Sequence, residues 1–258
     1  SCLCISAAYP SSFTILYSLL RLSTWLSAKT MQVVQQLYEG IDLEGEGTQG
    51  IVSYIRTDSV RISDEALNAL REYIPERFGS DYLPEKPNEY KGRKNAQDAH
   101  EAIRPSNVQL LPEEIRKYLT PDQFKLYRLI WSRFVACQMA NAVYDSVSVE
   151  IDAAGHSFRT SSSSLKFSGY TAVYEEGKDD DKEEKEPTLP PLTEGETLDL
   201  KSFGRDQHFT QPPAHYTDAT LIRAMEEQGI GRPSTYAPTV STILDREYVV
   251  KEGKYLHL

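Results

Sequence analysis

Tyr54 and Arg56 are the residues whose types and spacing best suit chemistry, and they lie in the run Ser53-Tyr54-Ile55-Arg56-Thr57-Asp58-Ser59. Residues two apart on an extended segment project from one face. A phenol with an ordinary pKa of about 10 is a weak nucleophile, and an adjacent guanidinium favours the phenolate. The guanidinium can also hold a phosphate and stabilise a transition state at phosphorus. By spacing alone, a strand-edge tyrosine beside a solvated arginine explains the pair better.

The net charge argues against a uniformly basic surface for binding nucleic acid. The 258-residue chain carries 28 lysines and arginines against 38 acidic residues, which gives a net charge of −10. Half of that excess lies in residues 175–186, which hold eight acidic and three basic side chains. Residues 53–104 are close to neutral, with nine basic and ten acidic side chains. The charge distribution therefore still allows a locally positive groove around Tyr54.

The cysteines and the first residues bear on where the protein acts. Cys2, Cys4 and Cys137 form neither a disulfide framework nor a Cys-x-x-Cys zinc motif, which favours a reduced, cytoplasmic compartment. The apolar stretch at 13–26 is too short and too polar to span a bilayer and lacks the basic start of a secretory signal. We expect no membrane association, and residues 1–26 form a segment of unassigned origin.

Tyr54 is predicted to lie between helices. Capping residues followed by apolar residues at helical spacing mark three of them. These helices cover 27–38 before Gly40, begin at Ser63, and begin at the capping box Thr120-Pro121-Asp122-Gln123. We expect a loop over residues 45–50, a strand-like run over 51–56 and a further loop over 75–95. On the third helix, Trp131 and Phe134 should lie in the core rather than stack on bases.

From residue 147 onwards apolar residues alternate with polar ones, which predicts strands instead of helices. The predicted elements are a hairpin with its turn at 153–155, strands at 165–174 and 198–203 around a solvated acidic loop at 175–186, and helices at 217–228 and 234–246. The chain is therefore predicted to be α+β, with boundaries near residues 141 and 212.

Three further motifs lie in order around the tyrosine run. They are Gln35-Gln36-Leu37-Tyr38-Glu39-Gly40, Ala99-His100-Glu101-Ala102-Ile103-Arg104-Pro105 and Gly229-Ile230-Gly231-Arg232-Pro233-Ser234-Thr235-Tyr236. Together the four motifs resemble the signatures of the type IA DNA topoisomerases, and their order over residues 27–250 argues against a chance resemblance. Ile55, where the decatenating relatives tend to carry proline, favours the bacterial topoisomerase I branch over the topoisomerase III branch.

The resemblance implies a mechanism for the tyrosine. Tyr54 would attack a phosphodiester of single-stranded DNA, form a 5′-phosphotyrosyl link and release a 3′-hydroxyl, which reseals the break after strand passage. ATP is not needed, because the phosphotyrosine conserves the bond energy and supercoiling strain drives the relaxation of negative supercoils. Arg56 is the matching arginine that contacts the transition state and the DNA.

The resemblance also implies DNA contacts. The residues in question are Ser53, Arg56, His100, Arg232, Ser234 and Thr235. His100 would touch a phosphate or assist proton transfer near Tyr54, although a structural histidine at a helix start also fits. Arg232 and Thr235 precede a predicted helix whose free N–H groups favour phosphate, although ordinary capping explains them too. Glu101 and Arg104 are better explained as a local ion pair than as catalytic groups.

The resemblance covers only part of the family's length. The full family enzyme begins with a Toprim domain whose acidic residues bind Mg²⁺, and no part of this sequence resembles that domain. We therefore expect Mg²⁺ as the cofactor of the full enzyme, with its ligands absent from this chain. We also expect that the chain alone neither cleaves nor relaxes DNA.

By analogy with the family, the chain divides into a helical tyrosine-bearing domain at 27–140, a β-rich arch or hinge segment at 141–211 and part of a helical domain that grips single-stranded DNA at 212–258. We expect a monomer. The alternative function is a non-catalytic module that binds single-stranded DNA in the same groove. A reverse gyrase relative would require a helicase-like region, and a purely structural role would require that the chain not bind single-stranded DNA at low salt.

Overall fold

The computed structural model describes residues 27–45, 47–57, 59–90, 100–174 and 189–258. The predictions for residues 1–26, for Asp58 and for the acidic run at 175–186 lie outside these ranges. The first half of the chain is mainly helical. Its elements are α1 (Ser27–Glu39), β1 (Ile41–Leu43), β2 (Gly47–Gln49), α2 (Asp64–Phe78), a 3₁₀ turn (Ser80–Tyr82), α3 (Pro112–Ile115), a second 3₁₀ turn (Arg116–Tyr118) and α4 (Pro121–Cys137).

The second half of the chain begins with a long two-stranded ribbon and ends with helices. Its elements are β3 (Val143–Ala153), β4 (His156–Phe167), a 3₁₀ turn (Gly169–Ala172), α5 (Asp218–Glu227), α6 (Tyr236–Asp245), β5 (Val250–Glu252) and β6 (Tyr255–His257). The strands pair as antiparallel hairpins, β1 with β2, β3 with β4 and β5 with β6. This mixture of helices and small antiparallel sheets confirms the predicted α+β class. No helix in the described ranges has the length and apolar character that a bilayer-crossing segment needs.

The helices begin where the capping residues predict. The Ser63 hydroxyl accepts a hydrogen bond from the N–H of Ala66 at the start of α2. At the start of α4, the Gln123 N–H donates to Thr120 Oγ1 at 3.3 Å, and the Thr120 N–H donates to Gln123 Oε1 at 2.9 Å. These bonds satisfy N–H groups that have no partner within the helix. The predictions of a helix after Ser63 and of a capping box at Thr120 are confirmed.

One core holds the helices of the first half together. Its largest fully buried side chains come from α1, α2 and α4 and from the segment between β2 and α2. They are Leu37, Ile51, Leu70, Ile74, Leu126, Tyr127, Ile130 and Phe134. Trp131 is also buried, and its indole N–H donates to the carbonyl oxygen of Val108 at 2.9 Å. Trp131 and Phe134 thus lie in the core, as the sequence predicts.

Two predicted loops are partly wrong. Residues 45–50 include β2, because Gly45 and Gly47, with φ of 92° and 74°, allow the tight turn that pairs β2 with β1. Residues 75–78 belong to α2, which tolerates Pro75 in its last turn and ends at Gly79, where φ is 103°. A proline there removes one hydrogen bond without stopping the remaining turn.

Three predicted strands are also corrected. The strand-like run at 51–56 reduces to a single bridge between Val52 and Pro105. The strand at 165–174 ends with β4 at Phe167, because a 3₁₀ turn begins at Gly169, where φ is 48°. Residues 198–203 alternate in polarity but form no regular structure, since no neighbouring strand in the described ranges supplies the hydrogen bonds that a strand requires.

The carboxyl-terminal helices form a smaller core of their own. Ile222 on α5 and Tyr236 and Val240 on α6 are its buried centre, and Met31 on α1 packs against both this core and the larger one. The hairpin of β5 and β6 joins the start of α5 through a hydrogen bond from the Leu256 N–H to the Tyr216 carbonyl oxygen at 2.7 Å. The two helices confirm the predictions at 217–228 and 234–246, whereas the domain boundaries stay predictions.

Gly50 permits a close approach that brings the end of α1 to the segment bearing Tyr54. A Cβ at position 50 would collide with the Tyr38 carbonyl oxygen, while the Ile51 N–H donates to the Leu37 carbonyl oxygen at 2.9 Å. We predict that Gly50→Ala lowers the free energy of unfolding by about 1–3 kcal/mol, because the backbone must shift. Urea denaturation measures this loss. Gly204→Ala, which would place its Cβ in open space, is the matched control and should change stability little; equal stabilities would contradict the prediction.

Candidate active site

The segment around Tyr54 is anchored by alternate side chains. Val52, Ile55 and Thr57 are buried at 3%, 4% and 1% exposure, whereas Tyr54 is 40% exposed and Arg56 is exposed. Burial of the intervening residues therefore turns the phenol and the guanidinium outward. This is the same-face arrangement that the spacing of the pair predicts, although the backbone is bent at 55–56 rather than forming a strand.

Ser53 joins this segment to the motif that contains His100. The Ser53 N–H donates to the Arg104 carbonyl oxygen at 2.9 Å. The Ser53 hydroxyl donates to the Ala102 carbonyl oxygen at 2.8 Å and accepts from the Arg104 N–H at 2.9 Å. These three bonds bridge the two motifs. The hydroxyl, for which the sequence suggests a DNA contact, thus has two protein partners.

Tyr54 contacts two other aromatic rings, one from an earlier part of the chain and one from a later part. The Tyr38 ring centroid lies 5.7 Å from that of Tyr54, with the planes at 74°, and the His100 centroid lies 5.2 Å away, with the planes at 40°. The Tyr54 side chain makes no hydrogen bond to any residue that the structure describes. The ring is therefore restrained by contacts on its carbon framework, and its hydroxyl is open to a ligand.

An ion pair stiffens the motif that carries His100. Arg104 Nε lies 2.8 Å from Glu101 Oε2, and the two side chains are 16% and 26% exposed. Partial burial raises the pKa of Glu101, but the hydrogen bond and charge of Arg104 and a hydrogen bond from the Ser63 backbone outweigh it, so the pKa is lower than its usual value. The pair confirms the sequence interpretation that both residues serve each other.

Arg56 differs from Arg104 in having no partner among the residues that the structure describes. It is exposed and makes no hydrogen bond or ion pair there. Its guanidinium is therefore available to an anion beside Tyr54, and no internal carboxylate in that part of the chain must be displaced first.

The third motif forms a turn before α6. Gly231 has a φ of 81°, the Arg232 N–H donates to Thr235 Oγ1 at 2.9 Å, and the Thr235 hydroxyl lies 3.1 Å from the Arg232 carbonyl oxygen. Arg232, Ser234 and Thr235 lie at the surface, and α6 begins at Tyr236 rather than at Ser234 as predicted. No hydrogen bond, ion pair or ring contact between described residues joins this turn to Tyr54.

Metal ligands and other histidines do not add to the candidate site. Among the described ranges, no group of three or more His, Cys, Asp or Glu side chains could hold a metal ion. His156 and His208 are exposed. The residues present therefore do not fit a magnesium site.

Tyr38 is the one member of the ring cluster to which sequence reasoning gave no role. Its motif, at 35–40, already pointed to this end of α1. The missing signal is spatial, because the contact between Tyr38 and Tyr54 depends on the close approach at Gly50.

Comparison with known proteins places the chain among proteins that act on DNA topology. The DNA topoisomerase family matches residues 14–258. Among solved structures, the chain is similar to full-length topoisomerase I from Thermotoga maritima, with 35% sequence identity and a TM-score of 0.78. The match covers 96% of this chain and 40% of that one, so the chain spans less than half the length of that relative.

The Glu101–Arg104 pair makes stability depend on pH. We predict that Glu101→Gln lowers the free energy of unfolding by about 1–3 kcal/mol at pH 7, because a half-buried guanidinium loses its charged partner. Because the folded pKa of Glu101 is lowered, the contribution is present above the ordinary value of 4.5 and is lost as pH falls through the lower, folded value. The gap between wild type and variant should therefore close in acid. Urea denaturation at several pH values measures that gap.

Glu113→Gln is the control for this prediction. Glu113 pairs with Arg116 at the same sequence spacing, but the side chains are 63% and 67% exposed and 3.7 Å apart. Exposed pairs contribute about 0–1 kcal/mol. A loss in Glu113→Gln equal to that in Glu101→Gln, or a gap for Glu101→Gln that widens in acid, would contradict the role given to this pair.

Proposed function

This chain belongs to the DNA topoisomerase family, and we propose that it is the part of a bacterial type IA topoisomerase that carries the nucleophile, Tyr54. The observation that carries the proposal is the exposed Tyr54 hydroxyl, which has no protein partner among the described residues and lies two positions before an equally unpaired arginine. A strand-edge tyrosine without a function would not require two further motifs to converge on it.

The proposed reaction exchanges one phosphoester for another. Tyr54 Oη attacks the phosphorus of a phosphodiester in single-stranded DNA, an O–P bond to tyrosine forms, and the bond from phosphorus to the 3′-oxygen breaks. The phenolic proton is lost and the 3′-oxygen gains a proton, so charge and atoms balance. The reverse attack by the 3′-hydroxyl restores the strand, and no ATP is consumed. Relaxation of negative supercoils follows when the other strand passes through the break.

Arg56 and His100 are proposed to act beside the nucleophile. Arg56 would hold the phosphate and stabilise the negative charge that grows in the transition state. His100 lies against the Tyr54 ring and would contact the neighbouring phosphate or exchange a proton there. Ser53 has two internal partners, so its proposed contact with DNA would have to use the remaining lone pair of the hydroxyl.

Arg232, Ser234 and Thr235 are proposed to contact the DNA backbone. All three lie at the surface in the turn before α6, where the helix dipole favours negative charge. Contacts of this kind contribute affinity without reading sequence. The proposed division into a tyrosine domain at 27–140, an arch at 141–211 and a DNA-gripping segment at 212–258 assigns this turn and Tyr54 to different parts of the gate.

Magnesium and a Toprim domain belong to the proposal only through the family. Since the described residues do not fit a magnesium site, no step above passes through the metal. We propose that this chain, acting as a monomer in the cytoplasm, needs a Toprim domain for efficient cleavage. Without it, the chain should bind single-stranded DNA and leave plasmid supercoils unchanged.

The first prediction concerns covalent capture. The chain is mixed with an end-labelled single-stranded oligonucleotide and Mg²⁺, with and without a Toprim domain from a full-length relative supplied as a separate polypeptide. We expect a covalent adduct, seen by denaturing gel, when the Toprim domain is present. Tyr54→Phe should abolish the adduct and keep DNA binding, because only the nucleophilic oxygen is removed.

Tyr248→Phe is the control, since Tyr248 is 60% exposed and lies outside the ring cluster. An adduct that persists in Tyr54→Phe would exclude Tyr54 as the nucleophile. DNA binding without any adduct in wild type, with Toprim present, would favour the non-catalytic binding module. Relaxation of plasmid by the chain alone would show that the Toprim requirement is wrong.

The second prediction concerns Arg232. We expect Arg232→Ala to weaken binding to unrelated single-stranded oligonucleotides by a similar factor and to reduce the slope of log K against log salt by about 0.7, which is the value for one lost phosphate contact. Fluorescence anisotropy across a salt series measures both. Arg116→Ala removes an exposed arginine from outside the motifs. If both variants change the slope equally, the effect reports net charge and the assigned contact is wrong.

A further inference from the structure

We propose that Tyr38 is a positioning residue that holds the Tyr54 ring in its outward orientation, an inference that rests on the proposed role of Tyr54 as the nucleophile. The two rings meet nearly perpendicularly, with centroids 5.7 Å apart and planes at 74°. That geometry is the edge-to-face arrangement favoured by the aromatic quadrupole. Tyr38 and Tyr54 are 38% and 40% exposed, so the contact lies at the rim of the site and leaves the phenolic oxygen accessible.

Tyr38 is itself held firmly in place. It lies in the last turn of α1, directly after Leu37, which is fully buried. The Gly40 N–H donates to the Gln36 carbonyl oxygen at 3.1 Å and ends the helix, and the Ile51 N–H donates to the Leu37 carbonyl oxygen at 2.9 Å. The Tyr38 backbone is thus clamped between a helix and the segment that leads to Tyr54.

The backbone of Tyr54 does not determine where its ring points. Burial of Ile55 and the bridge to Arg104 fix the chain on either side, but rotation about the side-chain bonds of Tyr54 is limited only by what the ring touches. No hydrogen bond to a described residue restrains the side chain. Of the two flanking rings, His100 lies in a bend, whereas Tyr38 is part of a helix. Tyr38 is therefore the more rigid wall.

The contact uses the Tyr38 ring and not its hydroxyl. Within the described ranges the Tyr38 hydroxyl makes no hydrogen bond. Phenylalanine should therefore replace tyrosine at this position without loss, while leucine, which keeps apolar volume but has no ring, should not. This difference separates positioning by an aromatic contact from a general need for a side chain that fills space.

The first measurement needs no catalysis. Aromatic NMR of the chain with ¹³C-labelled tyrosine, with Tyr54 assigned through Tyr54→Phe, reports the surroundings and mobility of that ring. We expect Tyr38→Phe to keep the Tyr54 signals of wild type in number and width. Tyr38→Leu should shift or broaden them, because the ring samples further rotamers. Wild-type-like Tyr54 signals in Tyr38→Leu would overturn the inference.

The second measurement is single-turnover adduct formation with the Toprim domain supplied. We expect Tyr38→Leu to lower the rate constant at saturating oligonucleotide about threefold to tenfold, the size of effect that one aromatic contact can have, with the apparent affinity unchanged. Tyr38→Phe should restore the wild-type rate. A loss of affinity at an unchanged rate constant, or a rate in Tyr38→Phe as low as in Tyr38→Leu, would overturn positioning by the ring.

Stability and the wild-type result separate the remaining causes. Urea denaturation checks that the Tyr38 variants remain folded, and Tyr38→Met offers a second ringless side chain if Tyr38→Leu is destabilised. Failure of wild type to form any adduct would count against the proposed function. The NMR comparison would still decide whether Tyr38 orients Tyr54, so the two failures can be told apart.

Discussion

The short antiparallel bridge between residues 51–53 and 104–106 is the constraint on which the rest of the site depends. It consists of the Ser53 N–H bonded to the Arg104 carbonyl oxygen, the Ser106 N–H bonded to the Ile51 carbonyl oxygen and the two bonds of the Ser53 hydroxyl. A strand pair this short is marginal by itself. It persists because Ile51 and Val52 are buried in the helical core at its edge. The core therefore brings Tyr54 and His100 together across 46 residues of sequence.

Partners distinguish the arginines of the motifs more clearly than their positions do. Arg104 is half-buried and paired with Glu101, so its charge is used to fix the loop that presents His100. Arg56 and Arg232 lie at the surface and have no carboxylate partner in the part of the chain that is described. Unpaired surface guanidinium groups can take up phosphate without first breaking an internal ion pair. A chain with a net charge of −10 can thus still present local positive charge where the proposed substrate binds.

The sequence could predict those parts of the fold that local chemistry controls. The caps at Ser63 and Thr120, and burial of Trp131, depend on residues within a few positions of one another. Residues 198–203 show the opposite case, because alternation makes a strand possible and only a partner strand makes it form. The site divides in the same way. The motifs identified Tyr54 and His100, whereas the ring contact with Tyr38 depends on a close approach that no local pattern encodes.

The arrangement around Tyr54 favours a division of labour between orientation and chemistry. Phosphoryl transfer asks a protein mainly for positioning and for electrostatic stabilisation. Glu101, the carboxylate in the second motif, is held by Arg104 and has a lowered pKa, which makes it a poor base for a phenol. His100 is then the titratable group in direct contact with the Tyr54 ring. The described residues thus supply a well-oriented nucleophile and unpaired positive charge, and they leave the remaining stabilisation to groups that the substrate brings into contact with it.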